Sequence, residues 1–193
     1  DKFPMMVNPE PSYHGVVYTE AFGPAAFIGR ARTVALRNTG ATLSPFNAFL
    51  LLQGLETLAL RMERHCENAL LVADHLQSHD GIASVSYAGL ASHPHHELAQ
   101  KYCSGTPASL LTFEVKGGYE SAVRFYDKLN LIKRLVNIGD AKSLACHPAS
   151  TTHRQMSAEE QARAGVTPGM IRLSIGIEHI EDILSDINQA LAS

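Results

Sequence analysis

The sequence predicts an α/β fold: a small sheet covered by helices on one face, preceded by a long bridging helix. Three observations predict it. Apolar residues recur at helical spacing from Phe46 to Leu76. After Gly81, strand-like alternations interleave with helical stretches, the order of a mixed sheet-and-helix domain. The last stretch, residues 180–191, gathers Ile180, Ile183, Leu184, Ile187 and Leu191 on one face, which needs a partner layer to bury it. With 193 residues, 45% of them hydrophobic, the chain can form a core without covalent staples.

The elements run in order along the chain. PAAFIGRARTVALRNTG (24–40) reads as a short helix, with Pro24 in its first turn and Gly40 at its end. Ser44-Pro45 opens the longest helix, with Phe46, Phe49, Leu50, Leu58, Met62, Ala69, Leu70, Ala73 and Leu76 as its apolar positions and Gly81 closing the run. At about 1.5 Å per residue such a helix outreaches one small core, so it is expected to bridge two domains, bending at Gly54. IASVSY (82–87) is a strand, residues 88–105 a loop with a short helix, and SLLTFEV (109–115) an alternating strand ended by Gly117-Gly118. Residues 119–129 are helical, RLVNIGD (134–140) and SLACH (143–147) read as short strands, and Ser157 with Glu160 forms a capping box for a helix over 157–165. A strand over 171–177 and the closing helix complete the order.

Composition narrows the function. A net charge of −3 and the lack of interleaved aromatics make Arg30, Arg32 and Arg37 a solvated or interface face, not a nucleic-acid face. No apolar run reaches transmembrane length, so no membrane partner is expected. The three cysteines, Cys66, Cys103 and Cys146, are odd in number and widely spaced, which fits reduced thiols and a cytoplasmic location. The opening DKFPMMVNPEPSYHG, with three prolines and no periodicity, has the texture of a chain interior, and a fragment of a longer protein is expected.

Few residues carry chemistry. The ten histidines, densest at His93, His95 and His96, show no HExxH or knuckle spacing, so no metal is expected. Nucleophile elbow, P-loop and GxGxxG are absent. Cys146 and His147 are neighbours on a strand and point to opposite faces, which discounts a nucleophile pair. The strand in GMIRLSIGIEHIED (169–182) poses the sharper question. Ile171, Leu173, Ile175 and Ile177 face one side; Arg172 and the small Ser174 and Gly176 face the other. If the polar segment NIGDAKSLACHPASTTH (137–153) lies beside it, Arg172 gains neutral partners and no carboxylate, leaving its planar fork for an external anion. An ordinary surface or salt-bridged arginine remains open on this evidence.

Five segments together resemble the C-terminal part of the Cys/Met-metabolism family of PLP-dependent enzymes: SPFNAFLLLQGLETLALRMERHCENA (44–69), YAGLASHPHHELA (87–99), LLTFEVKGG (110–118), KSLACHPASTTH (142–153) and MIRLSIGIEHIEDILSDINQAL (170–191). Within that family, NIGDAKSL and YHGVVYTEAFGPAAF (13–27) look like the O-acetylhomoserine sulfhydrylase branch; cystathionine γ-synthase and methionine γ-lyase are the neighbouring readings. The resemblance implies a transferase of methionine biosynthesis, a small amino-acid substrate and a homo-oligomer, dimer or tetramer. It implies that Arg172 binds the substrate α-carboxylate, that Asn137 stands at the neighbouring carboxylate position, and that Thr152 helps hold the arginine, the small residues beside Arg172 leaving room for the substrate. It divides the chain into 1–43, the tail end of a large cofactor domain; 44–80, the bridging helix; and 81–193, the small C-terminal domain. The family's cofactor is pyridoxal 5'-phosphate, but the SxTK context of its Schiff-base lysine is missing, so no catalytic or cofactor-binding residue is expected in this chain, and the chain by itself is expected to be inactive. The alternative is a non-catalytic α/β binding or assembly module.

Overall fold

The computed structural model describes residues 2–192 and divides between Gly54 and Leu55 into two units. The first is helical: α1 (Pro4–Val7), α2 (Tyr18–Phe22), α3 (Ala26–Arg30), a π-helical turn (Ala31–Leu36) and α4 (Arg37–Thr39), ended by Gly40 in the left-handed region at φ 64°. Tyr18 is fully buried, its hydroxyl 2.5 Å from that of Thr33. Two of the three candidate arginines have internal partners: Arg30 pairs with Glu10 at 3.1 Å, and the Arg37 guanidinium lies 5.6 Å from the Tyr13 ring centre.

The predicted long helix is two helices, α5 (Pro45–Glu56) and α6 (Leu58–Gln77). The interruption is at Thr57, at φ −111° and ψ 10°, and not at Gly54, which lies inside α5 with open space around it. Thr57 is β-branched, a poor helix former, and its hydroxyl accepts from the Arg61 guanidinium while its carbonyl accepts from Arg61 N.

The second unit is built on a five-stranded sheet of β1 (Ile82–Ser86), β2 (Leu110–Val115), β3 (Lys133–Arg134), β4 (Leu144–Cys146) and β5 (Met170–Ser174), in the order β1-β2-β5-β4-β3. All pairs are antiparallel except β3 with β4. The helices are α6, α7 (His96–Cys103), α8 (Gly118–Lys128), α9 (Ala158–Arg163) and α10 (Ile180–Leu191). Ala69, Val72, Ala73 and Leu76 of α6, Ala122 and Phe125 of α8, and Ile183, Ile187 and Ala190 of α10 share one core with Leu111, Phe113, Ile171, Leu173 and Ile175. Helices thus cover one face of the sheet. Ile171, Leu173 and Ile175 are fully buried, each worth about 1.5–3 kcal/mol in transfer free energy. The capping box of α9 forms as its sequence predicts.

One predicted strand is mostly absent. Of residues 134–140 only Arg134 is in a strand, and Leu135, Val136 and Ile138 are 53%, 50% and 60% exposed. Turn chemistry competes with the sheet here: the Asn137 side chain accepts from Ile138 N at 2.9 Å, Gly139 takes φ 75°, and Asp140 accepts from Lys142 N at 3.0 Å.

Asp186 of α10 fastens the loop between α8 and β3. Its buried carboxylate accepts from the backbone N–H groups of Asn130, Leu131 and Ile132 at 2.9, 3.0 and 2.9 Å. Asp186→Ala should strand these donors and destabilise the unit by about 3–5 kcal/mol, read from urea unfolding; a loss under about 1 kcal/mol would show that water replaces the carboxylate.

Candidate functional site

Alternation on β5 sends Arg172 to the face opposite the three-helix layer, since Ile171 and Leu173 are in the core. Its cross-strand partners there are Thr112 of β2 and Cys146 of β4. Both are neutral. Glu114 lies on the same face of β2, but its carboxylate accepts from the Thr167 hydroxyl at 2.7 Å. The Arg172 side chain is part-exposed and has no hydrogen bond or ion pair among the described residues. A cation on a central strand, without an internal counter-ion, can receive an anion from solvent.

The strand directions bring the other expected residues to the same end of the sheet. Cys146, opposite Arg172, is the last residue of β4. The parallel partner β3 runs the same way, its ladder ending with Leu135 N donating to Ala145 O at 3.2 Å. Asn137 comes two residues later, exposed in the loop. The segment 147–153 leaves β4 at that end through a 3-10 turn at Pro148–Ser150.

Thr152 makes no hydrogen bond to Arg172 among the described residues. Its hydroxyl lies 2.9 Å from His153 Nδ1 and 4.0 Å from Cys146 Sγ, while Thr151 lies closer to that sulfur, at 3.2 Å. Thr152 is thus linked to the cross-strand partner of Arg172, Cys146. His147 turns elsewhere: its Nε2–H donates to Pro168 O at 2.9 Å, and its Nδ1 faces Ser150 Oγ at 2.7 Å. With separate partners, Cys146 and His147 form no nucleophile pair. Cys66 is no better a nucleophile, because burial pushes its thiol up in pKa.

The small residues beyond Arg172 are not all open space. A Cβ on Gly176 would collide with the Glu178 carboxylate, the Ala141 carbonyl and the Ser143 amide, so the room at Gly176 is taken by protein. Ser174, on the Arg172 face, is 2% exposed and its hydroxyl has no hydrogen-bond partner among the described residues. Alternation marked Ser174; nothing in the sequence marked Glu178, whose partner Ser143 lies 35 residues away.

The lysines of this chain do not fit the Schiff-base position of a pyridoxal phosphate site. All six lysines are exposed: Lys142 pairs with Asp140, Lys133 donates to Asn130 O, Lys2 and Lys101 lie over Phe3 and Tyr102, and Lys116 and Lys128 are on the surface. None is sheltered from water as a Schiff-base lysine must be.

The chain is 53% identical over 191 residues to O-acetyl-L-homoserine sulfhydrylase 1 of Thermus thermophilus, covering 99% of this chain and 45% of that protein. It is 51% identical over 199 residues to O-acetyl-L-homoserine sulfhydrylase of Leptospira meyeri, again covering 45% of the relative. The chain thus spans less than half the length of these relatives. Its fold matches a Campylobacter jejuni crystal structure assigned as an O-acetylhomoserine (thiol)-lyase, with a TM-score of 0.89 and 48% identity over 98% of this chain and 45% of that one; that structure carries N'-pyridoxyl-lysine-5'-monophosphate. Residues 13–192 match the family described as Cys/Met metabolism PLP-dependent enzyme, and the chain belongs to that family.

Proposed function

We propose that this chain is the C-terminal portion of an O-acetylhomoserine sulfhydrylase and supplies its substrate α-carboxylate site. The observation that carries the reading is Arg172, part-exposed on the central strand β5 with neutral cross-strand neighbours. In the reaction, the Cγ–O bond of O-acetylhomoserine breaks, a Cγ–S bond forms with sulfide, and homocysteine and acetate leave. The pyridoxal phosphate and its lysine are assigned to parts of the enzyme outside this chain. Arg172 offers two parallel N–H donors to the carboxylate, a charge-assisted contact worth roughly 1.5–3 kcal/mol. Asn137 supplies a neutral amide at the same end of the sheet. Fixing the carboxylate also fixes the rotation of the other Cα substituents, which is this chain's contribution to reactivity.

The domain assignment comes from the same reading: 1–43 from the large cofactor domain, 44–80 the bridging segment, 81–193 the small domain. A homo-oligomer in the cytoplasm completes it. The support for assembly is α5, whose Phe46, Phe49, Leu51 and Leu52 are 67%, 54%, 60% and 60% exposed, more apolar surface than one helix leaves in water. The three free cysteines fit a reducing compartment.

Three outcomes are expected. Arg172→Ala in the full-length enzyme should raise KM for O-acetylhomoserine and lower kcat, losing about 100-fold or more in kcat/KM, equivalent to about 2.7 kcal/mol. Arg172→Lys should also be impaired, because lysine lacks the planar fork. Both variants should fold, as judged by circular dichroism; near-normal kinetics would end the assignment. Borohydride treatment of the isolated chain with pyridoxal phosphate should give scattered, substoichiometric lysine adducts, and one stoichiometric lysine would contradict the absence of a Schiff-base lysine from this chain. Sedimentation of the isolated chain should show self-association; a clean monomer at high concentration would remove the support drawn from α5.

A further inference from the structure

Resting on the reading of Arg172 and Asn137 as a carboxylate site, we infer that Glu178 is a positioning residue whose carboxylate, through Ser143, holds the loop that presents Asn137.

Glu178 Oε1 accepts from Ser143 N at 2.6 Å, and Oε2 accepts from Ser143 Oγ–H at 2.9 Å. The same hydroxyl accepts from Gly176 N at 2.8 Å, closing a ring between the exit of β5 and the entry of β4. Ser143 is fully buried. Its carbonyl meanwhile accepts from Lys133 N, the first residue of β3, at 2.9 Å. Both ends of the segment 133–143 therefore meet at Ser143, and Asn137 lies between them.

Past its β3 end, the segment has little else to hold it among the described residues. Leu135, Val136 and Ile138 are each at least half exposed, and the Asn137–Ile138 and Asp140–Lys142 bonds shape the turn without attaching it to the sheet. At its β3 end the segment is fastened by the pairing of β3 with β4, with Leu135 N donating to Ala145 O at 3.2 Å, and by Lys133 Nζ to Asn130 O and the Arg134–Asp127 ion pair, both at 3.0 Å; past Leu135 it is held, besides the Glu178 clasp, by Ile177 N donating to Ala141 O at 2.9 Å. Glu178 itself stands on a rigid base. Asn68 of α6 donates to the Gly176 and Glu178 carbonyls at 3.1 and 2.9 Å, and His65 Nδ1–H donates to the Ile175 carbonyl at 2.6 Å. The chain of contacts runs from the packed helix α6, through the exit of the strand carrying Arg172, to the loop carrying Asn137. Gly176 is required because a side chain there would occupy the place of the clasp. A bidentate, charge-assisted grip on a buried N–H and hydroxyl is rigid enough to set a position.

The test uses the full-length holoenzyme. Glu178→Ala should raise KM for O-acetylhomoserine about 10-fold or more while leaving KM for sulfide within about 2-fold, because only the carboxylate partner is misplaced. Glu178→Gln, which retains one acceptor, should fall between wild type and Glu178→Ala. Hydrogen exchange should quicken at the amides of 138–143 and not in α8 or α10. The double variant Glu178→Ala/Ser143→Ala should be no worse than Glu178→Ala, since both break one clasp. If Glu178→Ala does not fold, Glu178→Gln and Ser143→Ala carry the same measurements. An unchanged KM for O-acetylhomoserine beside a fully impaired Arg172→Ala overturns the clasp alone. A normal Arg172→Ala overturns the carboxylate reading and the clasp with it. A KM that rises equally for both substrates shows general damage and overturns the positioning role.

Discussion

The hydrogen bonding of β5 on both edges is the constraint on which the site depends. Leu173 sits opposite Leu111 on one side and Ala145 on the other; Arg172 sits opposite Thr112 and Cys146. A slip of one residue would turn Arg172 toward Ile183 and Ile187 and bring Leu173 out. Burying an unpaired guanidinium there would cost several kcal/mol, on the order of what one buried ion loses on leaving water. The apolar residues thus fix the position of the charge. Because Ile171, Leu173 and Ile175 are fully buried, the strand presents Arg172 from a backbone with little freedom to move.

The exit of β5 is as closely specified as the strand itself. Ladder pairing gives way after Ser174, yet no carbonyl of residues 175, 176 or 178 is left to water alone: His65 and Asn68 take them from α6. Ile175 N still donates to Ser109 O at 2.9 Å, and Ile177 N to Ala141 O. The packing of α6 on the sheet and the geometry of the strand exit are therefore one arrangement, since the same helix supplies Ala69, Val72 and Leu76 to the core and His65 and Asn68 to the backbone.

The parts of this arrangement that were legible in the sequence are those written in neighbouring residues. The alternation of β5, the apolar face of α10 and the Ser157–Glu160 box each need only a few consecutive positions. RLVNIGD shows the opposite case. Its alternation resembles a strand, but a strand exists only where another chain segment pairs with it, and Asn137, Gly139 and Asp140 form local turns instead. The break at Thr57 in place of Gly54 has a similar cause: a glycine with open space around it stays helical when nothing forces it out. Asn137 and Thr152 came from family resemblance, not from periodicity, and the strand directions explain how one end of the sheet holds both. Glu178 and Ser143 were beyond either route, since hydrogen bonds 35 residues apart leave no local pattern.

The charge state of the open face comes from the residues beside Arg172 as much as from Arg172 itself. Glu114 lies on the same face of β2, two pairing positions along from Thr112, and an arginine and a carboxylate so placed on adjacent strands would ordinarily satisfy each other. Here the Glu114 carboxylate accepts from Thr167 at 2.7 Å, and Thr167 is held in the turn before β5 by its own carbonyl, which accepts from Met170 N at 3.3 Å. An internal partner would have to be displaced before any external carboxylate could bind, and that displacement would be subtracted from the binding free energy. With Glu114 turned toward Thr167, Arg172 is left with water as its competitor. The chain carries an excess of acids, with a net charge of −3, yet the residues directly opposite Arg172 on both neighbouring strands are a threonine and a cysteine, and Glu114, the acid on this face of β2, bonds to Thr167. In the carboxylate site we propose, those neutral cross-strand neighbours are what leave Arg172 to an anion from solution.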